Sequence, residues 1–313
     1  VPVRAGRAVG LLLGVVADAV VPDPRRGHPV AAFGSLATRA ERVLYQDRRS
    51  AGVAYAAVLV GGAAGFGALV QRCSRAPAWQ VATTAAATWV VLGGASLVDE
   101  GTAMARSLEH GDVAAARGRL GNLCGRDPSG MGESELARAT VESLAENTSD
   151  AVVAPLVWGA LAGVPGLLGY RAANTLDAMV GRLSPRYARF GWASARLDDL
   201  LNLAPARLSA ALAAVGAPLV GGSSARASRT WRSDAAAHPS PNAGQVEAAF
   251  AGALGVRLGG RTVYPHAVEE RPALGDGRAV EVRDVGRTAV LSRVVGGLAA
   301  GLAAGVALAA GRR

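Results

Sequence analysis

The sequence predicts an all-α, polytopic integral membrane protein with several transmembrane helices, some broken by Pro or Gly or re-entrant, and helical polar segments between them. Three observations predict it. Half of the 313 residues are hydrophobic and the mean hydropathy is +0.25, high for a water-soluble domain. Two uncharged apolar runs, residues 51–70 and 78–98, each reach the roughly 20 residues that a bilayer-crossing helix needs. Only 4% of residues are aromatic, whereas Gly numbers 41 and Ala is abundant, a composition suited to close helix–helix contact in lipid.

The elements follow in order. Residues 8–22 form the first candidate span. Arg4 and Arg7 before a short apolar core also fit a cleaved signal peptide. Asp18 stands where small uncharged residues should precede a cleavage site, so a retained helix is expected. Residues 51–70 and 78–98 are joined by a short linker carrying Arg72 and Arg75 and are closed by Asp99 and Glu100, which reads as a transmembrane hairpin. Three weaker spans are expected at 151–170 with Pro155 and Pro165, at 201–222 with Pro205, Arg207 and Pro218, and at 289–310 with Arg293. In the last, Gly297, Gly301 and Gly305 share one helix face, open to close approach by another helix.

The segments near 23–50, 99–150, 171–200 and 223–288 are polar. Residues 110–146 read as helical with turns at 125–130, and residues 259–287 as a loop. If 151–170 spans the membrane, the polar segments flanking it face opposite compartments. If it re-enters, they face the same one. Pro and Gly inside such a run are tolerated where backbone lines a cavity or is buried in protein.

The net charge is +9 and the pI about 10.8. All 33 basic residues are Arg, since the sequence has no Lys. That excludes a Walker-type phosphate loop and a Schiff-base lysine. Phosphate groups must be held by Arg, backbone N–H groups, His or a metal ion. The Arg residues lie scattered between apolar runs with few aromatics beside them, a positive-inside pattern and not a nucleic-acid surface. Cys73 and Cys124 lack metal-ligand spacing and read as free thiols.

Several constellations carry possible chemistry. Glu142, Glu146 and Asp150 lie four apart, one acidic stripe on a continuous helix. A bound Mg²⁺ would offset their repulsion, and a plain solvated face is the alternative. The adjoining Asn147-Thr148-Ser149 matches the glycosylation sequon, which chance often supplies. Asn174 and Asp177 share a face just after an apolar run, where polar pairs are functional or where Asn174 caps a helix. Asp198 and Asp199 can ligate a divalent ion, with Arg196 beside them for phosphate, or they cap the next helix. His28 and His238 each stand beside a Pro in a tight turn. Asn242 opens a turn or helix in which Glu247 is a first-turn acid. Gly255, Gly259 and Gly260 do not form a dinucleotide fingerprint.

Together, and in this order, the strings DPRRGHPV (23–30), ARATVESLAENTSDAVVAPL (137–156), NTLDAMVG (174–181), FGWASARLDDLLNLAPARL (190–208) and SPNAGQVEAAFAGALGVRLGG (240–260) closely resemble the CobD/CbiB family, the adenosylcobinamide-phosphate synthases. The resemblance covers nearly the whole chain. Val21-Pro22 before Asp23, and Ala151 after Asp150, replace an expected Gly, and neither change removes a polar group. The resemblance implies an ATP- and Mg²⁺-dependent ligase in a bacterial plasma membrane. It would condense adenosylcobyric acid with (R)-1-aminopropan-2-ol phosphate, or the free amino alcohol.

On that reading Glu142, Glu146, Asp150, Asp198 and Asp199 are the expected metal and amine contacts. Glu146 takes a proton from the attacking ammonium. Arg171, Arg182 and Arg196 hold phosphate. Asn147, Asn174, Asp177 and Asn242 bind substrate. His28 and His238 bind phosphate or act as acid and base. The loops carrying them converge on the cytoplasmic side, where ATP is. Two other classes fit the hydropathy: a corrinoid transporter with broken helices, though no matching halves are visible, and a non-catalytic scaffold gathering other corrinoid-pathway enzymes.

Overall fold

The structure, a computed structural model, describes residues 3–21, 24, 27–74, 76–182, 184–264 and 267–309, with residues 3 and 4 described by backbone only. It is an all-α membrane protein with one small β-hairpin among the described residues. Four helical stretches are long and apolar enough to cross a membrane by length and composition: Arg49–Cys73, Pro77–Glu109, Trp192–Val220 and Val282–Ala309. They correspond to four of the six expected spans.

The other two differ for physical reasons. Helix α1 (Val3–Val20) carries Arg4, Arg7 and Asp18 in its 18 residues, too many charges for an apolar span. The run 151–170 is divided among a π-helical turn (Ser149–Val153), α8 (Ala154–Ala162) and α9 (Val164–Leu176). At 1.5 Å per residue α8 is about 14 Å long and α9 about 20 Å, each short of the bilayer core. The break falls at Gly163, whose φ of +70° suits glycine. A Cβ there would lie 2.2 Å from Gln71 Oε1. That oxygen accepts the Val164 N–H at 3.0 Å and so caps α9.

The chain divides into two compact units. The first comprises residues 1–93, 154–202 and 299–313. In it α1 packs along α4 (Pro77–Val91), and α3 (Arg49–Cys73) along α9, with α2 (Pro29–Leu44) against α3 and α9. Gly10 and Gly14 let α1 approach α4: a Cβ at either would lie 2.6 or 2.3 Å from the Cβ of Thr84 or Thr88. Tyr55, Leu59, Leu176, Val180 and Phe190 form an apolar core. The Tyr55 hydroxyl is satisfied by donating to the Ala37 carbonyl at 3.2 Å.

Helix α10 (Trp192–Gly216) contains Pro205. Proline has no N–H to offer the Leu201 carbonyl. The Trp158 indole N–H supplies that bond at 3.0 Å. A helix in lipid must satisfy its backbone internally, so this substitution is what lets Pro205 stand there.

The second unit comprises residues 94–153 and 203–298. It holds α5 (Gly94–Glu109), α6 (Val113–Leu120), α7 (Glu133–Thr148), α11 (Ser224–Asp234) and α12 (Ala243–Leu254), and the first part of α13 (Val282–Ala309). The expected turn at 125–130 lies between α6 and α7. Nearly all of α12 is buried, and its small residues permit this: a Cβ on Gly252 would lie 2.8 Å from the Ala227 Cα of α11.

Two expectations need correction. Residues 259–287 are not all loop: β1 (Leu258–Tyr264) and β2 (Ala267–Leu274) pair antiparallel, Thr262 opposite Glu269 and Val263 opposite Val268. Gly259, Gly260 and Pro272 disguise strands whose β-branched residues are few, and a register shift between Leu258 and Gly260 marks a bulge. Gly297, Gly301 and Gly305 do not receive another helix: among the described residues, a Cβ at any of them meets nothing within 4 Å. Shared spacing creates an accessible face but no partner for it.

Candidate functional site

Each unit has a polar centre. In the second unit the centre begins at α7. Glu142 is 1% exposed. It is clamped by the Arg126 guanidinium and accepts the Gly259 N–H at 2.7 Å, and Arg138 Nη1 lies 3.9 Å away. Arg138 donates in turn to the carbonyls of Gly259 and Arg261. Burial alone would lower the Arg126 pKa, but the Glu142 carboxylate more than offsets this and holds the cation above its ordinary value. Glu142 therefore ties α7 to the 121–132 segment and to the hairpin.

Against this frame lie His238 and Glu247. Glu247 is 1% exposed on α12. Burial first, then the charges of Glu142 and Glu146, push its pKa well above the carboxylate range, while Arg271 and Arg126 pull only partly against them. The His238 pKa is lowered, by burial first and then by the Arg271 charge. Its Nδ1 accepts the Ser240 N–H at 3.0 Å, which puts the proton of the neutral ring on Nε2. Nε2 lies 4.0 Å from Glu247 Oε1. Burial shifts both groups toward their neutral forms, which disfavours an ion pair here. Among the described residues neither of these two buried atoms has a hydrogen-bond partner, nor does Arg271 Nε. Arg271 Nη2 also donates to the Tyr264 hydroxyl oxygen, at 2.7 Å.

In the first unit Asp198 of α10 is buried, accepting from Asn174 Nδ2 at 3.3 Å and from Asn202 Nδ2 at 3.0 Å. Asn202 Oδ1 accepts from the Tyr170 hydroxyl at 2.8 Å. Asp177 opens a second π-helical turn (Asp177–Gly181), and its charge acts on Asp198. The structure thus joins Asn174, Asp177 and Asp198, three residues expected from sequence. Both π-turns begin at or beside an expected site acid, Asp150 and Asp177, and π-bulges recur at functional sites.

Other expected residues go elsewhere. Asp198 and Asp199 have different surroundings, because consecutive helix positions face different directions. Asp199 meets Arg196 at 3.5 Å on the surface. The stripe Glu142, Glu146 and Asp150 is not one uniform face, because α7 ends at Thr148 and the π-turn changes the period before Asp150. Glu142 is buried and Glu146 exposed. Asn147 Nδ2 bonds within its own helix to the Ser143 carbonyl at 2.9 Å. His28 Nδ1 caps α2 by accepting the Val30 N–H at 3.2 Å. Arg171 lines an apolar cavity of about 530 Å³ among α2, α3, α4 and α9. Arg182 is exposed after the second π-turn. Asn242 is buried, with its backbone N–H on Ser240 Oγ at 3.3 Å.

A family model described as CobD/Cbib protein matches residues 11–292. The chain belongs to the CobD/CbiB family. Relatives named cobalamin biosynthesis protein CobD support the assignment. That of Mycobacterium tuberculosis is 56% identical over 289 residues, covering 92% of each chain. Those of Geobacter metallireducens and Rhodobacter capsulatus are 44% and 43% identical, covering 87% and 86% of each chain respectively. No solved structure matches the chain.

The CobD/CbiB match spans both polar centres. Sequence reading missed Arg126, Arg271, Tyr264, Asn202 and Tyr170. Asn202 had a usable signal, four residues after Asp198 on one helix face, and Tyr170 stands four before Asn174. Arg126 and Arg271 had none, since only the folded hairpin and the 121–132 segment bring them to α12.

Proposed function

We propose that this CobD/CbiB chain acts in cobalamin biosynthesis as a ligase of the bacterial plasma membrane. It joins adenosylcobyric acid, through one corrin propionate, to (R)-1-aminopropan-2-ol phosphate or the free amino alcohol, with ATP as co-substrate. Family membership and the relatives' names support the pathway. The observation that carries the reaction is the buried pair His238 and Glu247, each shifted by burial toward its neutral form, with Nε2 and Oε1 lacking hydrogen-bond partners among the described residues and the cations Arg126 and Arg271 around them.

The chemistry asks for such groups. A carboxylate is a poor acylating agent at neutral pH. A propionate oxygen attacks the γ-phosphorus of ATP and ADP leaves. The amine nitrogen then bonds the carbonyl carbon, the carbon–oxygen bond to phosphate breaks, and one propionate oxygen departs in the phosphate. The ammonium must lose its proton before it attacks. The exposed Glu146 carboxylate takes that proton, while the His238 Nε2–H donates to a substrate oxygen and the desolvated Glu247 carboxyl beside it tunes that contact. Arg271 and Arg126 offset charge that develops on the oxygens.

Mg²⁺ would neutralise charge at the transferring phosphoryl group. Among the described residues no three His, Cys, Asp or Glu side chains gather to hold a metal. Mg²⁺ needs only one or two carboxylates beside phosphate oxygens. Glu146 suits that role: it is exposed, its charge reaches Glu247, and among the described residues no ion pair or hydrogen bond takes its carboxylate. Asp198 suits it less, because both its oxygens already accept amide protons.

The test uses membranes holding this protein alone, with adenosylcobyric acid, aminopropanol phosphate, Mg²⁺ and ATP. A corrinoid mass gain matching amide formation, lost without ATP and lost in Glu247→Gln, is the expected result. An unchanged corrinoid with folded, membrane-bound protein contradicts the reading and favours transport or scaffolding.

A further inference from the structure

The second unit holds another concentration of charge. An open basin of about 420 Å³ is lined by Arg226, Arg278, Arg283 and Arg287 and by the chain at Val220–Gly221 and Leu254–Gly255. Three helix ends meet there. One candidate span ends at Val220, another begins at Val282, and α12 ends at Leu254.

Part of this charge is structural. Arg287 donates to the carbonyls of Val220 and Leu254 at 3.0 and 2.9 Å, and Arg226 to that of Gly252 at 2.9 Å, as cations do at helix C-termini. The buried Asp284 carboxylate takes both Nη groups of Arg278, at 2.7 and 2.8 Å, and Nη1 of Arg287 at 2.8 Å. Glu281 pairs with Arg283 at 2.8 Å.

Two carboxylates against four guanidinium groups leave two positive charges unmatched within the ring. Among the described residues no protein acceptor takes the Nη groups of Arg226 or Arg283, or Nη2 of Arg287. Gly255 keeps the basin open. Its φ is +74°, and a Cβ there would lie 2.5 Å from Arg226 Nη2. Capping and ion pairing thus account for one edge of Arg226, Arg283 and Arg287 and leave Nη groups of these three to line the basin, whereas both Nη groups of Arg278 are taken by Asp284.

We propose that this basin binds a phosphate-bearing anion through Arg226, Arg283 and the remaining edge of Arg287, at the level of the bilayer headgroups. Planar guanidinium forks match phosphate oxygens, and the ends of two membrane-crossing helices set the depth. An acidic phospholipid headgroup and a soluble phosphate compound share this chemistry.

The test compares purified full-length protein with Arg226→Gln/Arg283→Gln, which leaves the Asp284 cluster intact. Elution profile and unfolding temperature check folding, and Arg283→Gln alone serves if the double variant does not fold. One arm titrates pyrophosphate into delipidated protein by calorimetry. The other measures retention of phosphatidylglycerol against phosphatidylcholine by native mass spectrometry. The expected result is pyrophosphate affinity, or phosphatidylglycerol preference, that falls about tenfold or more in the variant. The arm that responds identifies the source. Absence of both, or equal binding by wild type and variant, overturns the proposal.

Discussion

Glu142→Gln is the most informative perturbation of the second unit. The pair Arg126 and Glu142 is buried, with side-chain exposures of 6% and 1%. Gln keeps the shape and an oxygen for the Gly259 N–H, so the change removes the charge and little else. It leaves Arg126 as a buried cation without its main counter-ion. Breaking a buried pair from one side costs about 3–5 kcal/mol. At about 2–4 °C per kcal/mol for a large domain, the unfolding temperature should fall by roughly 6–20 °C. Arg126→Gln/Glu142→Gln removes both charges and should be less destabilised than the two single changes added together, by about 2 kcal/mol or more. Circular dichroism melts in one detergent supply the comparison. A Glu142→Gln melt within a degree or two of wild type, or full additivity in the double variant, would refute the clamp.

Three further outcomes follow from the geometry. Burial raises the Glu247 pKa, so the stability it contributes is complete below the ordinary carboxylate range, about pH 4, and is lost as pH rises toward the folded value. Glu247→Gln should therefore melt with wild type near that pH and increasingly above it as pH rises, and parallel melting curves at every pH would contradict this. Trp158→Phe removes the indole donor to the Leu201 carbonyl and should cost about 1–3 kcal/mol, read as a lower unfolding temperature; an unchanged melt would mean that another group satisfies that oxygen. Gly14→Val should lower folded yield and unfolding temperature by forcing α1 from α4, while Gly297→Val, where a Cβ meets nothing, should leave both unchanged, and equal effects would contradict the packing.

Much of the fold was legible because lipid imposes a simple rule. Long uncharged runs such as 51–70 and 78–98 become helices, whereas 151–170, expected as a weaker span with spanning or re-entry left open, is broken at Gly163. The hairpin was not legible, because Gly259, Gly260 and Pro272 are loop residues by local preference and contacts from distant parts of the chain hold them as strands, among them Arg138 and Glu142 of α7 and the Asp127 N–H on the Val263 carbonyl. The same distinction holds at the sites. Asn174, Asp177 and Asp198 were readable because each lies on a helix face at short spacing. The surroundings of Glu247 were not, because Arg126 and Arg271 reach it from distant parts of the chain. Asp198 and Asp199 are neighbours in sequence and diverge on the helix.

The most direct test of the ligase reading follows oxygen. Adenosylcobyric acid carrying oxygen-18 in its free carboxylate is supplied to membranes holding this protein, with ATP, Mg²⁺ and aminopropanol phosphate. The account predicts an amide product that has lost one labelled oxygen, and inorganic phosphate that has gained it. Unlabelled phosphate, or an unchanged corrinoid, would contradict it.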